Sequence, residues 1–220
     1  MKSFALAAAI GLLLATPAFA ALQVGETAPD FTATASLGGK DFTFHLYEAL
    51  KKGPAVVYFY PSAYTQGCDL EAHTFAENAD RFTAAGASII GVSGDDLTRL
   101  DQFASDPNFC AGKFPIAADE TLGIAKRYHL ATMAPARGIK DINGSDVSHG
   151  LIERVTFVIG RDRKIAAVLS SRADAGQKIN QLIENSTAAK EQPDPPQALA
   201  PDQHVFKALE IVGPMRGKAR

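Results

Sequence analysis

Residues 55–72 carry the sequence AVVYFYPSAYTQGCDLEA, which joins a strand pattern to a helix pattern. Its first part is a continuous apolar run rich in β-branched and aromatic side chains, as expected of a strand that is covered on both faces. Pro61 ends this strand, and a helical pattern extends from Cys68 to about Ala85. The stretch therefore predicts a buried strand, a loop, and a helix whose first turn contains a cysteine.

Strand and helix patterns alternate on both sides of this stretch. We predict further strands at residues 42–46, 88–93 and 114–118, and a hairpin of strands 155–159 and 165–169 around a turn at 160–163. Helices are predicted from a cap at Asp95 or Asp96 to about Pro107, over residues 121–128, and over residues 175–184. This order indicates an α/β fold with a mixed central sheet flanked by helices.

The N-terminal residues 1–20 have the pattern of a signal peptide. A basic start at Lys2 is followed by an apolar run and by small residues before a predicted cleavage site at Ala20-Ala21. The apolar run is shorter than the ~20 residues needed to cross a bilayer, so we expect no membrane span. We expect a periplasmic or secreted protein, with a retained N-terminal anchor as the alternative.

Two regions follow the signal peptide. Residues 21–185 suit one globular domain, since domains usually contain ~100–200 residues. Residues 186–220 are rich in Pro and Ala and predict a semi-extended linker to about Gln203, followed by a tail that docks as one or two helical turns.

The composition argues against several kinds of partner. The formal net charge is −2, and no basic stripe with interleaved aromatic residues is present, so we expect no nucleic-acid partner. The histidines show no ligand spacing, which predicts no metal or cofactor and argues against a copper-delivery protein; they are His45, His73, His129, His149 and His204.

Cys68 is the candidate nucleophile. Free backbone N–H groups in the first turn of a helix stabilise an anion, so we expect the thiol pKa of Cys68 to be lowered. Thr65 can place its hydroxyl beside the sulfur, and Pro61 can order and shield the pocket. A lone cysteine after a strand is ordinarily a small buried apolar residue, but here the three residues occur together at the position where a strand meets a helix.

The order Pro61-x-x-x-Thr65-x-x-Cys68 resembles the active-site signature of the peroxiredoxins. Three more segments are similar to the same family in the same order, namely Gly25-x-x-Ala28-Pro29-x-Phe31, Glu71-Ala72 and Arg154-x-Thr156-Phe157-x-Ile159. The resemblance covers about residues 24–184 and is strongest to the bacterioferritin comigratory protein subgroup.

This resemblance implies a thioredoxin-like fold and the reduction of hydrogen peroxide or organic hydroperoxides. Cys68 would be the peroxidatic residue, with Pro61, Thr65 and Arg154 completing its pocket. The implied partners are the peroxide and a thiol reductant, either a protein or a small thiol, acting on a monomer or homodimer.

The role of Arg154 also follows from its chemistry. A fixed guanidinium near the sulfur favours the thiolate and can donate hydrogen bonds to both peroxide oxygens as negative charge develops. The alternative is a solvated residue at the edge of a strand. Arg137 and Arg127 are weaker candidates for the same task.

The chain departs from the subgroup at the second cysteine. The subgroup often carries a resolving cysteine five positions after the peroxidatic one, where this chain has His73, which we expect to be a surface or packing residue. Cys110 is the only other thiol, so it is the candidate resolving cysteine of an intramolecular disulfide, after local unwinding near Cys68 or at residues 107–113. The alternative is an incidental Cys110 and a one-cysteine mechanism.

Two other functions stay open. An exported thiol–disulfide oxidoreductase on the same fold would normally carry Cys-x-x-Cys, which this sequence lacks. A catalytically inactive redox-sensing or binding protein would have no reason to keep Pro61, Thr65, Cys68 and Arg154 together. The segment 135–150 is longer than this subgroup leads us to expect, and the sequence assigns it no purpose.

Overall fold

The computed structural model describes residues 21–135, 138–171 and 198–217. The predicted signal peptide at 1–20, the predicted helix at 175–184 and Arg137 lie outside the described residues. No helix within the described ranges is long and apolar enough to span a membrane.

The described residues form nine strands and five α-helices. The strands are β1 (Thr32–Leu37), β2 (Lys40–His45), β3 (Ala55–Phe59), β4 (Ser88–Ser93), β5 (Ile116–Ala118), β6 (Thr132–Met133), β7 (Leu151–Ile152), β8 (Val155–Ile159) and β9 (Ile165–Ser170). The helices are α1 (Leu46–Lys52), α2 (Gln66–Ala84), α3 (Leu97–Ser105), α4 (Gly123–Arg127) and α5 (Pro201–Val212), the last followed by a 3-10 turn (Gly213–Gly217).

Seven of these strands form one mixed sheet in the order β2-β1-β5-β4-β3-β8-β9. β3 lies in the interior of the sheet, parallel to β4 and antiparallel to β8. This interior position explains why all five residues of β3 are buried. The predicted mixed central sheet flanked by helices is confirmed.

The core consists of two apolar clusters, one on each face of the sheet. Alternate residues of β3 enter different clusters, as the two-residue period of a strand requires: Val57 and Phe59 enter one, Val56 and Tyr58 the other. The first cluster includes residues of α1 and α4, and the second includes residues of α2, α3 and α5. Both cysteines belong to the second cluster.

Helix α5 is longer than the one or two helical turns predicted for the C-terminal tail. It begins at Pro201, inside the predicted linker, and contains 12 residues. Proline suits the first helical position because a backbone N–H there would have no partner within the helix, so its absence loses no hydrogen bond. Val205, Ala208 and Val212 then recur at helical spacing and are fully buried, so the helix docks along one apolar face.

Candidate active site

Cys68 lies in the first turn of α2, and its side chain is only 2% exposed. Thr65 is the N-cap of this helix, and the Cys68 N–H donates to the Thr65 carbonyl oxygen at 2.8 Å. The cysteine reaches this position because β3 ends at Phe59 and a short loop leads directly into α2. The thiol is therefore both at a helix start and almost completely shielded from water.

Arg154 contacts the sulfur directly. Its Nη2 donates to Cys68 Sγ at 3.1 Å, and its Nη1 donates to the Glu71 carboxylate. Val155 pairs with Phe59, the last residue of β3, so Arg154 lies beside the point where the chain leaves the sheet toward Cys68. Glu71 follows Cys68 by three residues on α2 and is fully buried, which places its carboxylate on the same side of the helix.

The loop between β3 and α2 contains Pro61 and Thr65, the other two residues predicted for the Cys68 pocket. Pro61 begins this loop and is partly buried, while Thr65 ends it. The Thr65 hydroxyl donates to the Ser62 carbonyl oxygen at 2.8 Å, and its proximity to the sulfur lowers the pKa of Cys68. The structure brings Thr65, Cys68 and Arg154 together and has Pro61 in the same loop, and the roles of all four residues stay predictions.

The electrostatic prediction for Cys68 needs correction. Burial raises the pKa of the thiol, and the charge of Arg154, the Thr65 hydroxyl and a backbone hydrogen bond from Ser62 lower it, but the net pKa stays above its ordinary value. The predicted lowering is therefore wrong for the reduced protein, because the sequence argument considered the helix start and not the loss of water around the sulfur.

The buried carboxylate of Asp95 holds the loop between β3 and α2 in place through hydrogen bonds. Asp95 follows β4, which runs parallel to β3, so the two strands end at the same edge of the sheet. Its oxygens accept hydrogen bonds from five groups: Ala63 N–H (2.9 Å), Ser62 Oγ (3.2 Å), Ser93 Oγ (2.7 Å), Arg99 Nε (2.9 Å) and His149 Nε2 (2.8 Å). Burial opposes ionisation of Asp95, but the contacts with His149, Ala63 and Ser93 outweigh it and lower its pKa.

The described part of the long segment, residues 138–150, packs against the same loop. Arg99 Nη2 donates to both the Asp141 carboxylate and the Ala63 carbonyl oxygen, each at 2.8 Å. The Ile142 N–H donates to the Tyr64 carbonyl oxygen at 2.9 Å. Residues 138–150, to which the sequence assigns no purpose, therefore pack against the loop between β3 and α2 and support it.

Cys110 is fully buried in the turn that follows α3, and the two cysteines are not bonded to each other. Burial raises its thiol pKa well above the ordinary value. The rings of Tyr64 and Phe109 lie 5.4 Å apart in an edge-to-face contact, so the residue before Cys110 touches the active-site loop. Cys68, Cys110, Tyr58 and Tyr60 all belong to the second apolar cluster, so the two cysteines lie on the same face of the sheet.

The weaker candidates lie elsewhere. Arg127 donates to the Asp30 carbonyl oxygen at 2.8 Å, on the other side of the sheet from the cluster that contains Cys68. The side chain of His73 is 46% exposed and faces Glu77 at 3.4 Å, which fits a surface position.

Several site residues escaped the sequence reasoning. The sequence predicts only a helix cap at Asp95 and a motif position at Glu71, and it assigns no role to Arg99, His149 or His204. The available signal was the position of Asp95 directly after a buried parallel strand, because such strand ends meet at one edge of a sheet.

Comparison with known proteins decides the family. The chain matches the AhpC/TSA family over residues 24–168, which is more than half of its length. The chain belongs to this family, the peroxiredoxins. Its predicted family and its assignment to the thiol peroxidases are thereby confirmed.

Individual relatives agree with this assignment. The chain is 41% identical over 171 residues to the chloroplastic peroxiredoxin Q of Arabidopsis thaliana, covering 78% of this chain and 70% of that protein. It is 34% identical over 165 residues to the chloroplastic peroxiredoxin Q of Populus jackii, covering 75% and 68%. The crystal structure of peroxidoxin BcpB from Mycobacterium tuberculosis has a TM-score of 0.63 and 26% identity, covering 89% of this chain and 99% of that one. The thioredoxin-like fold is confirmed by this likeness.

Proposed function

We propose that this peroxiredoxin reduces hydrogen peroxide and organic hydroperoxides with Cys68 as the attacking residue. The observation that carries the proposal is the 3.1 Å contact between Arg154 Nη2 and Cys68 Sγ in the first turn of α2. The guanidinium is the largest of the effects that oppose burial and lower the pKa of the thiol. It therefore favours the thiolate, which is the nucleophilic form of cysteine.

In the first step, the Cys68 thiolate attacks one peroxide oxygen and the O–O bond breaks. The sulfur is oxidised to sulfenic acid, and the other oxygen takes up a proton and leaves as water or an alcohol. Negative charge moves from the sulfur to the leaving oxygen during this step. Arg154, which already donates to the sulfur, would donate hydrogen bonds to that charge, and the Thr65 hydroxyl, which lowers the pKa of Cys68, would assist it.

In the second step, we propose that Cys110 resolves the sulfenic acid. Its sulfur forms a disulfide with Cys68 and the sulfenic oxygen leaves as water; a protein thiol or small thiol then reduces the disulfide. Cys110 has to leave its buried site first. Its segment is favourable for opening because Ala111 adopts a left-handed backbone (φ 51°), a conformation that costs about 1–3 kcal/mol for a residue other than glycine.

We also propose that residues 1–20 direct export to the periplasm or out of the cell. The basic start, the apolar run and the small residues before Ala21 support this proposal. N-terminal sequencing of protein from its native host should find a mature chain that begins within a residue or two of Ala21. Recovery of soluble protein with an intact Met1 terminus would contradict export.

A peroxide-consumption assay tests the function. Reduced protein supplied with dithiothreitol should consume hydrogen peroxide, and Cys68→Ser should abolish this turnover. The matched control is Cys110→Ser, which removes the other buried thiol and should still react with the first equivalent of peroxide. Wild-type turnover by Cys68→Ser would show that the mechanism proposed for Cys68 is wrong.

A further inference from the structure

Helix α5 packs beside the first turn of α2, although in the sequence it follows the family match at residues 24–168. Its first residue, Pro201, is next to the first turn of α2. A methyl group placed on Gly67 would lie 3.3 Å from Arg154 Nη2 and 3.4 Å from Pro201 Cγ. A Cβ atom at Gly67 would therefore touch both the start of α5 and the guanidinium that contacts Cys68.

A histidine of this helix, His204, is fully buried in that region. Its Nδ1 lies 2.9 Å from Thr156 Oγ1, and its Nε2 lies 3.1 Å from Ser171 Oγ. The Ser171 hydroxyl donates its proton to the Leu199 carbonyl oxygen at 2.8 Å, so it accepts from His204 Nε2–H. His204 Nδ1 is then the acceptor for the Thr156 hydroxyl.

His204 also borders the carboxylate that holds Arg154. Its Nδ1 is 3.7 Å from Glu71 Oε1, while Glu71 Oε2 binds Arg154. Glu71 Oε1 makes no hydrogen bond of ordinary geometry within the described residues, but Thr156 is near enough to lower the pKa of this carboxyl group. The buried imidazole stays neutral, since burial and the charge of Arg154 lower its pKa to about 3.

We propose that His204 is a positioning residue for Arg154. It holds the Thr156 hydroxyl and packs on one oxygen of Glu71, so that the other oxygen faces Arg154 and Arg154 Nη2 faces the Cys68 sulfur. His204 touches neither the sulfur nor the peroxide and acts through Glu71 and Arg154 alone. The inference rests on the proposed role of Cys68, and it makes the C-terminal helix a part of the active site.

The test is the second-order rate constant for oxidation of Cys68 by hydrogen peroxide, measured by stopped flow. His204→Ala should lower it about 10-fold or more, because a misplacement of about 1 Å in a catalytic group can cost about 10²-fold. Phe206→Ala is the matched control on the same helix. Phe206 is 46% exposed, so this variant should keep the wild-type rate constant.

Two conservative variants separate positioning from simple anchoring of the helix. His204→Asn keeps an acceptor where Nδ1 faces Thr156 and should restore most of the rate constant. His204→Gln places its amide where Nε2 faces Ser171 and should not restore it. Thermal unfolding of each variant shows whether a change in rate merely follows a change in stability.

The outcomes are distinguishable from a failure of the proposed function. If wild-type protein does not react with peroxide at Cys68, the proposed function itself is wrong. If wild-type protein reacts and folded His204→Ala is equally fast, His204 has no positioning role. Should His204→Ala fail to fold, the Asn and Gln variants decide, and a rate for Gln equal to or above that for Asn overturns the inference.

Discussion

A ring nitrogen of His73 lies 3.0 Å from the carbonyl oxygen of Asn108, two residues before Cys110. His73 is on α2, five residues after Cys68, so this contact ties the helix of one cysteine to the segment of the other. The position that often carries the resolving cysteine in the similar subgroup here touches the segment that carries Cys110. This contact lies at the surface, so breaking it alone exposes little apolar area.

The fate of the sulfenic acid is the first prediction. One equivalent of hydrogen peroxide should convert reduced wild-type protein to an intramolecular disulfide, seen by intact mass spectrometry as the loss of two hydrogen atoms. In Cys110→Ser, oxidation should stop at sulfenic acid and proceed to sulfinic acid with excess peroxide, because no thiol condenses with it. Turnover of Cys110→Ser at the wild-type rate with the same reductant would make Cys110 incidental.

Arg154→Gln should slow oxidation of Cys68 by about 10²–10³-fold, the usual effect of removing one donor from a preorganised site. It should also move thiol alkylation by iodoacetamide to higher pH, since the guanidinium charge lowers the pKa of Cys68. Arg127→Gln is the control, because Arg127 binds the Asp30 carbonyl oxygen instead. If wild type and Arg154→Gln have the same pH profile of alkylation, Arg154 does not lower the pKa of Cys68.

Thr65→Val should lower the rate constant with peroxide by about 10- to 100-fold, because a hydrogen bond to a charged group contributes about 1.5–3 kcal/mol. The domain should stay folded. Thr74→Val is a matched control, since Thr74 lies on the same helix and donates to the Leu70 carbonyl oxygen at 2.7 Å. Equal peroxide rate constants for the two variants would show that the Thr65 hydroxyl takes no part in the peroxide step.

The contact between His149 and Asp95 should contribute to the free energy of unfolding in a pH-dependent way. Burial lowers its pKa, but the hydrogen bond and charge of Asp95 and the Gly150 carbonyl oxygen raise it to a net value above 6.5. A raised histidine pKa stabilises the fold fully below the unfolded value, and this stabilisation is lost as pH rises through the folded value.

The melting-temperature difference between wild type and His149→Gln should therefore be largest at and below about pH 6, under the unfolded pKa of histidine, and shrink as pH rises above neutrality. His45→Gln serves as the exposed control. A difference that stays constant with pH would mean that the Asp95–His149 contact does not depend on charge.

The local elements could be predicted from the sequence because their patterns are local. The run before Pro61 and the hairpin at residues 155–169 have the composition of strands, and the structure has them there. β1, with the sequence TATASL, has mostly small side chains and was not predicted. It is a strand because it pairs with β2 on one side and with β5 on the other, which only the complete sheet provides.

The same distinction holds for the site. Thr65 and Cys68 share one loop and helix start, so local reasoning could place them. His204 is brought to Thr156 by the docking of α5, across 48 positions of sequence, and Asp95 meets His149 only in the folded chain. The pKa of Cys68 was misjudged for the same reason, since burial depends on what the rest of the chain places around the sulfur.

The central claim is that the Cys68 sulfur takes up the peroxide oxygen, and trapping that product tests it most directly. Reduced Cys110→Ser should be treated with one equivalent of hydrogen peroxide in the presence of dimedone, which labels sulfenic acid, and the digest mapped by mass spectrometry. We predict one dimedone adduct per chain, located on Cys68, and its absence without peroxide. Consumption of the peroxide with Cys68 recovered as an unmodified thiol would contradict the mechanism.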